Sequence, residues 1–400
     1  MNMFIIIIIQ LFNRIYQRKT MKFIIPYYFI KQIFQICIII LLLNVIFCLI
    51  IFIHNIIDLS IEYEEPENIL EFSSHTTYND NKKKLNKLKY MKENHHKNSE
   101  KYYEYYKTTN TNYIEPILLP SSHCDHIMNN NTTHNTTDNN NNNITNIIIF
   151  IKSTYNKFKL RQTLRNTWAN SKCYLKYGIQ PYIYFTLGRE NSSQWFNSTI
   201  QIKLFQEHQQ YNDLIQFNFI ENYYNLTRKL IGTIEYAKFH CIHTKFIIII
   251  DQDFIINPLN LIKLLLNITK LQYNTYISGY VIKKGIPFRI KTNKWFISKY
   301  KYPFKYYPNY PLGGTIIMSR PVMYHLYELL RHIKLFPFDD VLIGIVLDKL
   351  NITIHHIDNI LLTNYIMNYR KQFITAHYKD ISYLLMNLWK SLRFDKLCYN

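Results

Sequence analysis

The apolar residues of this chain fall into short continuous runs that alternate with helical repeats. IIIFIKS, residues 147–153, is apolar up to its lysine and reads as a buried strand. KFKLRQTLRNTWAN follows at helical spacing. PYIYFTLG, 181–188, is a second strand closed by a glycine, and DLIQFNFI, 213–220, is a third. NLTRKLIGTIEYAKFHC, 225–241, has the period of a helix. KFIIIIDQDFIIN, ending at 257, is the next strand, and PLNLIKLLLNIT is the helix after it, with Pro258 at its start. Strands alternating with helices predict an α/β domain around a central, mostly parallel sheet, over residues 146–400. In such sheets ligands sit beyond the carboxyl ends of the strands. Asp251 and Asp253 fall at such an end.

The N-terminal part has another pattern. Residues 33–53, IFQICIIILLLNVIFCLIIFI, are uncharged and long enough to span a bilayer as one transmembrane helix. Arg14, Arg18, Lys19, Lys22 and Lys31 precede this run, and Asp58, Glu62, Glu64, Glu65 and Glu67 follow it. The positive-inside rule then places a tail, 1–32, in the cytosol and the remaining chain outside or in a lumen. A cleaved signal peptide fits less well, because the run is long, starts late and lacks a small-residue cleavage site. Residues 54–145 are polar and end in an Asn/Thr tract. They offer too little apolar surface to offset chain entropy and read as a largely disordered stem.

Composition narrows the partners. Hydrophobic residues fill 48% of the 400 positions, so a sizeable core is available. The formal net charge of +20 suits an anionic partner. Its densest run, NKKKLNKLKYMKENHHK at 81–97, has neither zinc-finger spacing nor a Gly-rich phosphate loop, so no nucleic acid is expected. Asn-x-Ser/Thr sequons beyond the apolar run, among them Asn225, Asn267 and Asn351, agree with a luminal body. Cys124, Cys173, Cys241 and Cys398 lie outside that run; four thiols allow three disulfide pairings, and none has metal-ligand spacing.

Three stretches carry candidate chemistry. In DQD, Asp251 and Asp253 are either two solvated acids at a strand end or oxygen ligands for a hard divalent ion. In FPFDDVLIGIVLDKL, Asp339 and Asp340 precede an apolar helical run. One reading is a helix cap with an acid in the first turn; the other is a general base facing a cleft while its neighbour caps the helix. In YYPNYPLGGTIIMS, Gly313 and Gly314 permit close backbone approach among aromatics suited to stacking on sugars; a plain turn before a strand is the alternative.

Taken in order and spacing, RQTLRNTW (161–168), NLTRK (225–229), DQDFIIN (251–257), the segment 279–319 and FDDVLIGIVL (338–347) resemble the inverting β-1,3-glycosyltransferases of galactosyltransferase family 31. The resemblance covers about 147 to 395, and the paired Asp339–Asp340 with the closing ITAHYKD is most similar to the Brainiac-like branch. It implies a GT-A-like, single Rossmann-type nucleotide-sugar domain, and a type II Golgi membrane protein with its catalytic domain in the lumen. It implies a UDP-sugar donor, UDP-GlcNAc or UDP-Gal, with Mn2+ or Mg2+, and a glycan acceptor on a glycolipid or glycoprotein.

By the same resemblance, Asp340 is the catalytic base, and Asp251, Asp253 and His377 handle metal and nucleotide-sugar. Arg161, Arg165 and Trp168 are nucleotide-side or structural, and Lys229 meets phosphate. Trp295, Gly313, Gly314 and Asp339 line the sugar or acceptor site. Gln252 departs from the family pattern by removing one acid, Pro311 by replacing a usual cysteine, and Leu312 and Thr315 by replacing small residues. An inactive, membrane-anchored sugar-binding relative is the alternative that this altered glycine motif raises.

Overall fold

The computed structural model describes residues 107–109, 111–121, 124, 145–362, 372–378 and 382–398. The predicted tail, the apolar run 33–53 and most of the predicted stem lie outside these residues. No helix among the described residues is long and apolar enough to cross a membrane.

Eleven strands are described: β1 (Pro116–Leu118), β2 (Thr145–Lys152), β3 (Ile179–Arg189), β4 (Leu214–Ile220), β5 (Phe246–Asp251), β6 (Phe254–Ile256), β7 (Ile277–Ile282), β8 (Tyr310–Ser319), β9 (His355–His356), β10 (Ile360–Leu361) and β11 (Thr375–His377). Eight form one sheet in the order β1-β4-β3-β2-β5-β8-β7-β9. β4, β3, β2 and β5 are mutually parallel, as predicted for the first half of the domain. In the second half β7 and β9 keep that direction, so the sheet is mostly parallel, with β8 reversed. β8 runs antiparallel to both β5 and β7. A parallel return needs a crossover, usually helical. The segment between β7 and β8 contains no helix, and the chain comes back antiparallel.

The continuous apolar runs are explained by burial on both faces. In β5, Ile247 and Ile249 join one core cluster, whereas Ile248 and Ile250 join the other. β2 divides in the same way, with Ile148 and Phe150 on one side and Ile147, Ile149 and Ile151 on the other. Helices Leu226–His240, Arg320–Leu330 and Asp339–Lys349 supply buried residues to the first cluster. Helices Phe158–Arg165, Pro258–Leu266 and Ser382–Ser391 supply the second. Trp168 is fully buried in that second cluster.

Part of the predicted stem belongs to the folded body. β1 pairs antiparallel with β4, and Asn112 Nδ2 donates to Leu330 O and Ile333 O at 3.0 and 2.7 Å. Two disulfides pair the four candidate thiols: Cys124 with Cys241, and Cys173 with Cys398. The short β1 escapes a reading of composition because an edge strand needs few apolar residues when a folded sheet receives it.

A small second sheet, β10-β11-β6, lies just past Asp251. Its antiparallel register sets His377 opposite Phe254, and Tyr378 N donates to Asp253 O at 2.8 Å. That pairing brings the C-terminal segment to the acids at the end of β5.

Candidate active site

The ends of β2, β5 and β8 and the start of the helix Asp339–Lys349 border a cavity of about 560 Å³. Its walls include Asp251, Asp253, Asp339, Asp340, His377 and Lys152. A second recess of about 420 Å³ shares Lys152, Asp251 and Asp253, and is otherwise lined by residues such as Thr154, Asn156, Glu221 and Lys229. The DQD acids therefore stand between two hollows.

Lys152 is the organising residue, and the sequence reading missed it. Its Nζ lies 3.0 Å from Asp251 Oδ1 and 3.0 Å from Asp339 Oδ2, and donates to Gly313 O at 3.0 Å. Burial alone would lower this ammonium, but the two carboxylates outweigh burial and hold it charged, above its ordinary value. A signal was present: a lysine ending a fully apolar strand must find an acid when it is buried.

Asp340 has a different environment. Its Oδ1 accepts from Val341 N at 2.7 Å, and its Oδ2 accepts from Gly313 N at 3.3 Å. Burial, followed by the adjacent charge of Asp339, pushes its carboxyl up to about 7. Neither acid makes the side-chain N-cap considered from sequence. Phe338 holds the N-cap position, and both acids sit in the first turn, where the helix dipole favours negative charge. Asp251 is raised as well, by burial first, against the opposing pull of Lys152.

The metal reading can be tested on the acids themselves. Asp253 Oδ2 is 3.3 Å from His377 Nε2. Asp253 Oδ1 is buried and has no hydrogen-bond partner. An orphaned carboxylate oxygen beside an imidazole fits a divalent cation. Among the described residues no group of three or more His, Cys, Asp or Glu side chains gathers as a metal cluster. The pair Asp253–His377 fits such an ion if the remaining ligands come from bound donor and water. Asp251 adjoins the pair but is already held by Lys152.

Other expected site residues divide into two groups. Gly313, Gly314 and Trp295 line the cavity. Trp295 Nε1 donates to Tyr223 OH at 2.8 Å, and Lys294 lies over the Tyr223 ring at 4.4 Å. Gly314 is required by close approach: a Cβ there would stand 2.2 Å from the Phe254 ring. Leu312 also lines the cavity, whereas Thr315 is buried and exchanges a hydrogen bond of 2.9 Å with Thr375. Gln252 accepts from Ser153 Oγ at 2.8 Å and ties β5 to the end of β2.

Arg161 and Arg165 are not brought to the cavity. Arg161 Nε donates to Glu207 Oε1 at 2.9 Å and is fully buried. Arg165 bonds Asp213 Oδ2 at 2.7 Å and Glu207 Oε1 at 2.8 Å. Both brace the helix Phe158–Arg165 against the helix Thr199–Tyr211 and the start of β4, because buried guanidinium groups must be paired. Lys229 lines the second recess, but its ammonium is buried, 2.9 Å from Glu221 Oε1, and donates to Ser153 O. It is a brace for that recess before it is a phosphate ligand.

Known proteins are similar to this chain over about half of its length. The galactosyltransferase family model matches residues 159–358. The UDP-GalNAc:beta-1,3-N-acetylgalactosaminyltransferase 1 of Homo sapiens is 33% identical over 209 residues, covering 52% of this chain and 61% of its own length. The lactosylceramide 1,3-N-acetyl-beta-D-glucosaminyltransferase of Homo sapiens is 31% identical over 209 residues, covering 52% of this chain and 54% of its own length. Beta-1,3-galactosyltransferase 5 of Mus musculus is 29% identical over 206 residues, covering 52% and 64%. The chain thus spans less than two thirds of the length of these relatives. A crystal structure of the galactosyltransferase LgtC with donor and acceptor sugar analogs is 14% identical over 63% of this chain and 95% of its own, with a TM-score of 0.30, a likeness too slight to bear on the fold. By the family model, which takes in half of its residues and all of β3 to β9, the chain belongs to the galactosyltransferase family.

Proposed function

We propose that the protein is an inverting β-1,3-glycosyltransferase. It moves GlcNAc or Gal from a UDP-sugar to a hydroxyl of a glycan carried on lipid or protein. The observation that carries this reading is the placement of Asp340, with its carboxyl pushed up to about 7, in one cavity with Asp251, Asp253 and His377. A base needs a pKa near the working pH and access to the reacting hydroxyl.

Asp340 takes the proton of the acceptor hydroxyl. The freed oxygen forms its bond to the anomeric carbon from the face opposite UDP. The bond from that carbon to the phosphate oxygen breaks, and UDP departs with the electron pair. Lys152 pairs with Asp339 and holds it in place, and Asp340 is the acid that cycles its proton. The amide of Gly313 holds one oxygen of Asp340 and fixes its orientation. Trp295 and Tyr223 offer ring faces to a sugar at the cavity mouth. Asp253 and His377, with Asp251 adjacent, would hold a divalent ion, which supplies positive charge to a leaving diphosphate. The recess beyond Asp251, lined by Thr154 and Asn156, is the side assigned to the nucleotide.

The same reading extends to a GT-A-like domain and to a type II Golgi membrane protein anchored through 33–53, with its catalytic domain in the lumen. The test is UDP release by the full chain in detergent with Mn2+, using UDP-GlcNAc, UDP-Gal and UDP-GalNAc against β-linked acceptors. Turnover with one donor, absent in Asp340→Asn, is the expected result. Binding of UDP without turnover on any acceptor would assign the chain to inactive, sugar-binding relatives.

A further inference from the structure

The segment from Lys283 to Tyr306, between β7 and β8, is a formed loop without helix. Arg289 turns inward. Its Nη1 donates to Ile297 O at 2.8 Å, and its Nη2 donates to Tyr302 O and Phe304 O at 2.8 and 3.1 Å. Ile297 N donates to Phe288 O at 2.9 Å, and Tyr307 N donates to Gly285 O at 2.7 Å, closing the base. Tyr302 is fully buried in the first core cluster. These ties make the loop a fixed platform.

Its outer surface combines two properties. Ile286, Phe288, Ile290, Trp295 and Tyr300 are 53%, 48%, 72%, 46% and 90% exposed. Every lysine from Lys283 to Lys305 is exposed. No aspartate or glutamate occurs between Asp253 and Glu328, so nothing acidic within this stretch offsets those lysines. Single exposed apolar residues are ordinary, but a cluster on one loop marks an interaction surface. Ile286, Phe288 and Trp295 also line the cavity that holds Asp340, so the surface is continuous with the candidate active site.

We propose that the loop 283–306 docks on an anionic lipid bilayer. The physical match is to the interfacial layer of a membrane. Isoleucine and aromatic side chains enter below the headgroups, while ammonium groups on flexible stems reach back to lipid phosphates and carboxylates. An anionic polysaccharide would satisfy the lysines but would leave Ile290 and Tyr300 in water. Docking holds the cavity mouth against the bilayer, where an acceptor glycan with a lipid tail would be presented. That last consequence rests on the glycosyltransferase reading; the docking does not.

The test is hydrogen–deuterium exchange of the full chain, reconstituted into vesicles of phosphatidylcholine alone or of phosphatidylcholine with phosphatidylserine. Exchange across 283–306 is expected to slow several-fold on the anionic vesicles only, and the effect is expected to vanish at high salt. Lys291→Glu with Lys299→Glu, and separately Ile290→Ser with Tyr300→Ser, are each expected to abolish the slowing at an unchanged unfolding temperature. Equal exchange on both vesicle types would overturn the proposal. So would slowing by a sulfated polysaccharide without slowing by anionic vesicles.

Discussion

Lys152 Nζ stands 3.0 Å from Asp339 Oδ2, although 187 positions separate the two residues. The same ammonium reaches Asp251, so one buried cation joins the end of β5 to the first turn of the helix Asp339–Lys349. Lys152→Met leaves Asp339 buried without its partner. Loss of one member of a buried ion pair costs about 3–5 kcal/mol. The expected outcome is a lower denaturation midpoint and loss of UDP release. A second substitution, Asp339→Leu, should recover part of the stability and none of the turnover, which chemical denaturation and the release assay would separate.

Asp340→Asn keeps the shape of the side chain and removes its ability to accept a proton. Loss of a positioned general base lowers turnover by about 10²- to 10⁴-fold. UDP binding, measured by calorimetry, is expected to stay within a few-fold of the unmodified protein, because Asp340 does not line the recess assigned to the nucleotide.

The pH dependence has opposite signs for activity and stability. Asp340 is pushed up to about 7, and a base works deprotonated, so turnover should rise with pH through a midpoint near that value. The folded protein favours the neutral acid more than the unfolded chain does. Its stabilising contribution is therefore full below the ordinary carboxylate pKa and is lost as pH rises through about 7. Asp340→Asn is neutral at every pH and keeps that contribution. Its unfolding free energy should gain on that of the unmodified protein between about pH 4 and pH 7.

Gly313 and Gly314 are adjacent but should respond differently to alanine. A Cβ at Gly314 meets the Phe254 ring at 2.2 Å, which requires the ring or the strand to move. Overpacking of this kind costs about 1–3 kcal/mol. At Gly313 the nearest atoms, Lys152 Nζ and Asp340 Cβ, would be 3.5 and 3.6 Å away, an ordinary contact. Gly313→Ala is expected to unfold at the normal temperature and to change KM or kcat, whereas Gly314→Ala should unfold at a lower temperature.

Asp253 and His377 should govern metal affinity together. Asp253→Ala or His377→Ala is expected to weaken Mn2+ binding at least tenfold by calorimetry, and chelation should abolish turnover in the unmodified protein. Unchanged Mn2+ affinity in both variants would remove this pair from the metal site.

Much of this architecture was legible in the order of residues. The continuous isoleucine runs of β2 and β5 announced strands buried on both faces, and the intervening helical repeats announced the parallel crossovers between them. The acids Asp251, Asp253, Asp339 and Asp340 were singled out because carboxylates beside apolar runs must be solvated, paired or used. Of the two roles given to Arg161 and Arg165, the structure shows the structural one, and sequence does not separate them because a guanidinium in a motif looks alike whether it meets a phosphate or a buried glutamate. Glu207, its actual partner, lies 46 positions from Arg161 in a helix that no motif marked.

The chain by itself determined local periods, the strand ends where acids cluster and the identity of the chemical groups. Those properties depend on neighbours a few residues apart. The tertiary structure decided the direction of β8, the pairing of the four cysteines, the seat of His377 beside Asp253 and the bridge of Lys152 between Asp251 and Asp339. Each of these joins segments far apart in sequence. Such contacts depend on which surfaces bury best together and on which buried charge finds its counter-charge, and neither condition is written in any single stretch of the chain.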